Sequence, residues 1–149
     1  MLEEYGKKRD FKKTEEPEGK PKKSDRKELI FVIQEHHARN LHYDLRLEID
    51  SVLKSWAVPK EPPEIPGIKR LAIQTEDHPI DYADFEGTIP EGQYGAGKVL
   101  TWDKGTFIPE KITEKEILFR LDGKKMKGNY VLVKTGFGKG SWLFFRKKE

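Results

Sequence analysis

The sequence predicts an all-β domain, an antiparallel sheet either closed into a barrel or folded as a sandwich. Eight short apolar or alternating runs, rich in β-formers, recur along the 149 residues, and most are bounded by Gly, Pro or Asp. No sustained 3.6-residue apolar pattern separates them, so there are no crossover helices to make the sheet parallel. The length suits one domain with one core, and an aromatic content of 11% argues against disorder.

Residues 1–28 are polar, carry Pro17 and Pro21 and lack an apolar period, so they read as an N-terminal arm with little regular structure, ahead of a compact domain over 29–149. The expected strands are Leu29–Gln34, Leu41–Ile49, Val52–Val58, Arg70–Thr75, Lys98–Trp102, Glu116–Leu121, Asn129–Lys134 and Ser141–Arg146. Between the third and fourth, four prolines in the nine residues Pro59–Gly67 leave few amide donors for a ladder and dictate a stiff loop. The segment Asp84–Gly97, with three glycines in its last six residues, also reads as loop.

Composition narrows the chemistry. There are no cysteines, which excludes disulfides and thiolate ligands and leaves nitrogen and oxygen to hold any metal. No apolar run approaches the roughly 18 residues of a membrane span, and the start MLEEYGKKRDF lacks the apolar centre of a secretory signal, so a cytoplasmic protein with no membrane partner is expected. The net charge of +3 fits a polyanionic partner without requiring one, because acids interleave through most of the basic runs.

The run Leu41-His-Tyr-Asp-Leu-Arg-Leu-Glu-Ile49 is the most informative. On a strand, Leu41, Tyr43, Leu45, Leu47 and Ile49 share one face, while His42, Asp44, Arg46 and Glu48 share the other. Such a strand ordinarily has one wet face. His42 and Asp44, however, can converge on one cation, and His36, six residues upstream, can return through a short turn. Two histidines and a carboxylate form a recurrent open site for divalent Mn, Fe or Zn, and Arg46 on the same face suits a substrate oxyanion. The doubled His36-His37 leaves two candidates for the distal ligand; extended-chain parity favours His36.

A second polar cluster, Glu76-Asp-His-Pro-Ile-Asp-Tyr82, follows the strand Arg70–Thr75. It reads either as a turn or as the rim of the same site, with His78 and Tyr82 reaching a phosphate oxygen or a leaving alkoxide. Two motifs are set aside. Gly92-Gln-Tyr-Gly-Ala-Gly-Lys98 mimics a phosphate-binding loop, but Val99 stands where Ser or Thr is required and a strand follows instead of a helix. Arg120-Leu-Asp-Gly123 has arginine in place of the lysine that nucleotidyl transfer uses as its amine nucleophile.

Taken together, Gln34-Glu-His-His-Ala-Arg-Asn-Leu-His-Tyr-Asp-Leu-Arg46, Leu53-Lys-Ser-Trp-Ala-Val-Pro-Lys60, Glu76–Tyr82 and Phe85–Gly97, with Arg9-Asp10-Phe11, Glu16-Pro17, Trp102-Asp-Lys-Gly105 and Trp142-Leu-Phe, resemble the 3′-phosphoesterase domain of DNA ligase D across nearly the whole chain. The resemblance implies a compact antiparallel β-barrel with a polar concave active-site face. It also implies a DNA-repair hydrolase that removes a 3′-terminal ribonucleoside and then the 3′-phosphate from primer strands in end joining. His36, His42 and Asp44 would hold the metal, manganese by preference, with zinc or cobalt as alternatives. Arg46, His78 and Tyr82 would meet the scissile phosphate. Gln34, Lys60, Arg70 and Glu76 would support them, and Arg9, Asp10 and Glu16 would bring the arm into a site that the bare residue pattern leaves without it. The implied partners are DNA or DNA–RNA primer 3′ ends and, since the chain ends at Glu149, a separate ligase, polymerase or end-binding protein; a monomer is expected. Two other readings compete: an iron-dependent oxygenase, which also uses His-x-Asp with a distal histidine on a barrel but needs a co-reductant, and a non-catalytic nucleic-acid-binding barrel stacking bases on Trp56, Tyr94 or Trp102.

Overall fold

The computed structural model describes residues 2–18 and 28–148. Nine antiparallel strands follow one short helix: α1 (Glu3–Lys7), β1 (Leu29–His37), β2 (Leu41–Ile49), β3 (Val52–Val58), β4 (Lys69–His78), β5 (Gly87–Ile89), β6 (Gly97–Ile112), β7 (Glu116–Asp122), β8 (Lys127–Lys134) and β9 (Ser141–Arg146), with a 3-10 turn at Ile80–Asp84. The strand order is β1-β2-β3-β4-β9-β8-β7-β6, and β6 pairs back onto β1, which closes an eight-stranded barrel; β5 attaches to the start of β6. The choice left open between barrel and sandwich thus falls to the barrel.

Closure follows from local rules. Asp50-Ser51 forms a two-residue turn with both φ values positive, 53° and 65°, the twist that a tight hairpin between β2 and β3 needs. The inward set of each strand then meets in one core. It includes Phe31 and Ile33 of β1, Leu45 and Leu47 of β2, Trp56 of β3, Phe119 of β7 and Phe144 of β9, with Trp56 edge-to-face on Trp142 at 5.7 Å.

The opposite face of β1, β2 and β3 is covered as well. A second apolar cluster joins Tyr5 and Phe11 of the arm, Tyr82 and Ala83 of the 3-10 turn, and Phe85 and Ile89 to the outward side chains Val32, Leu53 and Val99. The outward face of β2 is therefore not the wet face that such a strand ordinarily has: Asp44, Arg46 and Glu48 are all buried, beneath this outer layer.

Several strands outrun their sequence limits. β1 continues to His37 and β4 to His78, because these polar ends keep their ladder partners. β6 extends sixteen residues from Gly97, since β1 pairs it through a stretch, Asp103–Thr106, that has no apolar alternation to announce a strand. The Asp84–Gly97 loop contains β5.

Asp103 explains the Asp-Gly motif set aside above. Its buried carboxylate accepts backbone N–H bonds from Lys124, Lys125 and Met126 at 2.9, 3.1 and 2.8 Å, shaping the turn after β7. A Cβ on Gly123 would lie 2.5 Å from Asp103 Oδ2 and 2.7 Å from the Phe31 ring. Asp103→Ala is expected to lower unfolding free energy by about 2–4 kcal/mol, because buried N–H donors lose their acceptor; chemical denaturation measures it.

Candidate functional site

The β1–β2 register places His36 directly across from His42 and Gln34 across from Asp44. Strand alternation puts all four on the outward face, together with Arg46. His37 falls on the other parity, and its Nε2 pairs with Glu35 at 2.6 Å. The ambiguity of the doubled histidine is thus a matter of faces, and His36 is the one that meets His42 and Asp44.

His36 Nδ1 lies 3.2 Å from His42 Nε2 and 3.5 Å from Asp44 Oδ2, and His42 Nε2 lies 3.3 Å from Asp44 Oδ1. The other nitrogen of each ring faces a backbone carbonyl: His36 Nε2 is 2.6 Å from Gly95 O, and His42 Nδ1 is 3.0 Å from Asn40 O. A carbonyl only accepts, so these are the protonated nitrogens, and the lone pairs of His36 Nδ1 and His42 Nε2 point at one another and at a carboxylate. Two lone pairs and an anion converging at such separations suit a cation about 2.1 Å from each. Burial opposes charge on His42, but a proton taken up on Nε2 bonds Asp44, and that bond with the carboxylate's charge outweighs burial and raises the ring's pKa. Burial likewise opposes ionisation of Asp44, and Arg46, His36 and His42 overcome it and hold the carboxyl well below the usual range.

Arg46 is fixed from behind. Its Nε donates to Gln34 Oε1 at 2.7 Å, and Gln34 Nε2 is held by the carbonyls of Tyr82 and Phe85 at 2.8 and 3.2 Å. Its guanidinium lies 4.8 Å from the centre of the Tyr82 ring, and Nη2 is 3.5 Å from Asp44. Arg46 Nη1 is buried without a partner among the described residues.

The arm supplies a second guanidinium. Arg9, its side chain 4% exposed, bonds Glu16 at 2.9 Å and Glu76 at 3.3 Å and reaches His78 Nε2 at 3.2 Å. Tyr82 donates to the same Glu16 oxygen at 2.6 Å. The register between β3 and β4 shifts by one residue, Leu53 facing His78 and Ser55 facing Thr75, and this bulge lets Thr75, Glu76 and His78 all line the recess. His78 Nδ1 donates to Glu76 O at 2.9 Å, so Nε2 accepts from Arg9. Burial, then Arg46 and Arg9, push the His78 pKa well below its ordinary value, and the ring is neutral.

These groups surround a recess of about 290 Å³, lined also by Ala38, Tyr94 and Gly95, with the Tyr94 ring 5.4 Å from the Arg9 guanidinium. Of the residues expected in the site, His36, His42, Asp44, Arg46, His78, Tyr82, Arg9 and Glu76 line it, with Gln34 and Glu16 immediately behind. Three lie elsewhere. Asp10 caps the backbone of Lys12, Lys60 is exposed beyond β3, and Arg70 bonds the carbonyl of Glu61.

The polar concave face, the closed barrel and the His-His-Asp set occur together in a chain whose residues 34–134 match the model for the DNA ligase D 3′-phosphoesterase domain. The chain belongs to that family. It is 50% identical over 156 residues to the multifunctional non-homologous end joining protein LigD of Pseudomonas aeruginosa, 49% identical over 154 residues to the LigD of Mycobacterium tuberculosis strain H37Rv, and 48% identical over 159 residues to that of Mycolicibacterium smegmatis. In each case 99% of this chain is covered, and it spans about a fifth of the relative: 19%, 20% and 21%. As a ligase D 3′-phosphoesterase domain, the chain carries a fold and a polar recess suited to phosphate esters.

Sequence reasoning missed Tyr5, Lys8, Ser55 and Gly95. Tyr5 is fully buried, its hydroxyl bonds Pro17 O, and its ring sits 3.9 Å from the Arg9 guanidinium and edge-on to His78. Two aromatics, Tyr5 and Phe11, in an otherwise polar arm were the available signal. Lys8, which bonds Glu76 at 3.1 Å, was hidden in a charge run.

The neutral, buried His78 gives a pH dependence of stability. Between its depressed folded value and the ordinary one near 6.5, the unfolded chain binds more protons than the folded one, so the His78 contribution is full above about 6.5 and is lost as pH falls through that window. His78→Gln is expected to flatten the decline in unfolding free energy between neutral and mildly acidic pH; denaturant titrations of both proteins at stepped pH measure the difference.

Proposed function

We propose that this domain is a metal-dependent 3′-end phosphoesterase of DNA repair, removing a 3′-terminal ribonucleoside and then the remaining 3′-phosphate from primer strands. The observation that carries the reading is the unpartnered Nη1 of Arg46 beside the His36–His42–Asp44 set: a buried cationic donor and a cation-shaped gap share one recess, and a phosphate ester meets the needs of both.

His36, His42 and Asp44 would hold a divalent cation, manganese first, with zinc and cobalt as alternatives. Bound there, such an ion supplies charge neutralisation at the phosphate and lowers the pKa of a water nucleophile. Gln34 fixes the Arg46 guanidinium so that Nη1 is free to bond a phosphoryl oxygen as charge builds in the transition state. Arg9 brings a second positive charge to the closed side of the recess, aligned by Glu16 and Glu76. His78, a neutral ring whose Nδ1 donates to Glu76 O and whose Nε2 accepts from Arg9, would align that guanidinium for the phosphate. Tyr82 closes the set, its hydroxyl tied to Glu16 and its ring against Arg46. Asp10, Lys60 and Arg70 would act, if substrate reaches them, outside the recess.

Relatives named for non-homologous end joining support a role in that repair, where the domain would act on DNA or DNA–RNA primer 3′ ends beside a ligase, polymerase or end-binding protein. No helix among the described residues is long and apolar enough to cross a membrane.

The decisive experiment incubates the protein with manganese and a 5′-labelled primer–template ending in one ribonucleotide. Shortening by one nucleoside to a 3′-phosphate and then a 3′-hydroxyl is expected, with loss of at least about 100-fold in rate for His42→Ala and for chelator-treated protein. An unchanged primer across several divalent metals sinks the catalytic reading. Titration calorimetry with manganese checks the centre separately: wild type binds, His42→Ala does not.

A further inference from the structure

The recess has one closed side and one open side. At the closed side the charged groups Arg9 and Glu76 are buried, with side chains 4% and 2% exposed, and the arm lies over them. At the open side, Ala38 and Gly95 are shared with a groove of about 540 Å³ lined also by His37, Arg39, Glu91 and Gly97. The groove's two walls are the β1–β2 hairpin tip, residues 38–40, and the glycine-rich segment 92–97.

The walls are clamped together. Gly97 has φ +133°, and a Cβ there would lie 2.2 Å from His37 O and 2.9 Å from Ala38 Cα, so only glycine lets the backbones approach this closely. Gly95 O holds His36 at 2.6 Å, tying the same wall to the metal-ligating histidine. Between them Arg39 stands exposed at the hairpin tip, two residues from His37 and three from His42, with no ion pair or hydrogen bond among the described residues. Glu91 on the facing wall is the one acid in the groove, and it disfavours an anion close to its own side.

We infer that the substrate strand has a fixed polarity on this domain: the 3′-terminal nucleoside enters the closed recess, and the strand leaves through the open groove with the phosphate next upstream of the scissile one bonded by Arg39. This rests on the phosphoesterase reading and adds to it a direction and a residue. An end-processing site needs to enclose one terminus and release the rest of a polyanion to solvent, and among the described residues the arm covers Arg9 and Glu76 while the groove lies at the hairpin-tip side. Arginine suits the upstream position because its guanidinium forks onto phosphate oxygens and stays charged.

The inference is tested with Arg39→Glu, and with Lys139→Glu in the exposed β8–β9 hairpin at the other end of the barrel as a charge control. Fluorescence anisotropy of a labelled long primer–template over a salt series gives a readout independent of turnover. Arg39→Glu is expected to weaken binding by about tenfold and to lower the salt slope by about one, while Lys139→Glu matches wild type. In the manganese assay Arg39→Glu is expected to raise KM for the long primer and leave a dinucleoside monophosphate, which has no upstream phosphate, cleaved as by wild type. Wild-type affinity in Arg39→Glu, equal weakening by Lys139→Glu, or equal impairment on both substrate lengths overturns the assignment. Binding through Arg39 by a protein that leaves every primer uncut upholds the strand path and removes the catalytic reading instead.

Discussion

The β1–β2 register is the constraint on which the rest of this molecule depends. Pairing His36 with His42 sends Phe31, Ile33, Leu45 and Leu47 into the barrel and Gln34, His36, Asp44 and Arg46 outward. A slip by one residue would exchange the two sets, burying four polar groups in an aromatic core and stranding the leucines under the arm. Core formation and site assembly are therefore one event. The apolar set, which cannot tolerate the other face, enforces the geometry of the polar set.

The outward set is buried yet charged, which works only because charges arrive in compensating groups. Asp44 lies among His36, His42 and Arg46; Glu16 and Glu76 bracket Arg9; Gln34 and Ser55 supply neutral polarity, Gln34 as acceptor for Arg46 and Ser55 3.4 Å from the His78 ring. A buried ion loses its hydration and regains it from fixed partners, and what remains unmatched is informative. Here the mismatch is one guanidinium nitrogen and two facing imidazole lone pairs.

Much of this was legible in the sequence. Period-two alternation in Leu41–Ile49 named both faces, and the spacing of His36, His42 and Asp44 pointed to three side chains that the structure brings together. Strand ends were less legible: Glu76–His78 and Asp103–Thr106 are polar stretches held in the ladder by partners far along the chain, and local pattern has no access to those partners. The bulge that turns Glu76 inward is likewise a property of the pair β3–β4 rather than of either strand. The arm was the hardest. Its residues look solvated because the groups that Arg9 reaches across the sheet, Glu76 and His78, lie at sequence separations of 67 and 69.

The outer layer has an apolar cluster separate from the barrel core, and Tyr5 of the arm is at its centre, touching Phe11, His78 and Tyr82. The molecule thus contains two cooperative units of unequal size sharing one sheet. The barrel is held by closed ladders on every side, whereas the arm is held by a handful of side chains and a five-residue helix. Fewer described contacts hold the lesser unit, so opening it is expected to cost less than unfolding the barrel, and it would take Arg9 and Glu16 out of the recess. Order in the arm and order in the barrel therefore need not be lost together on heating.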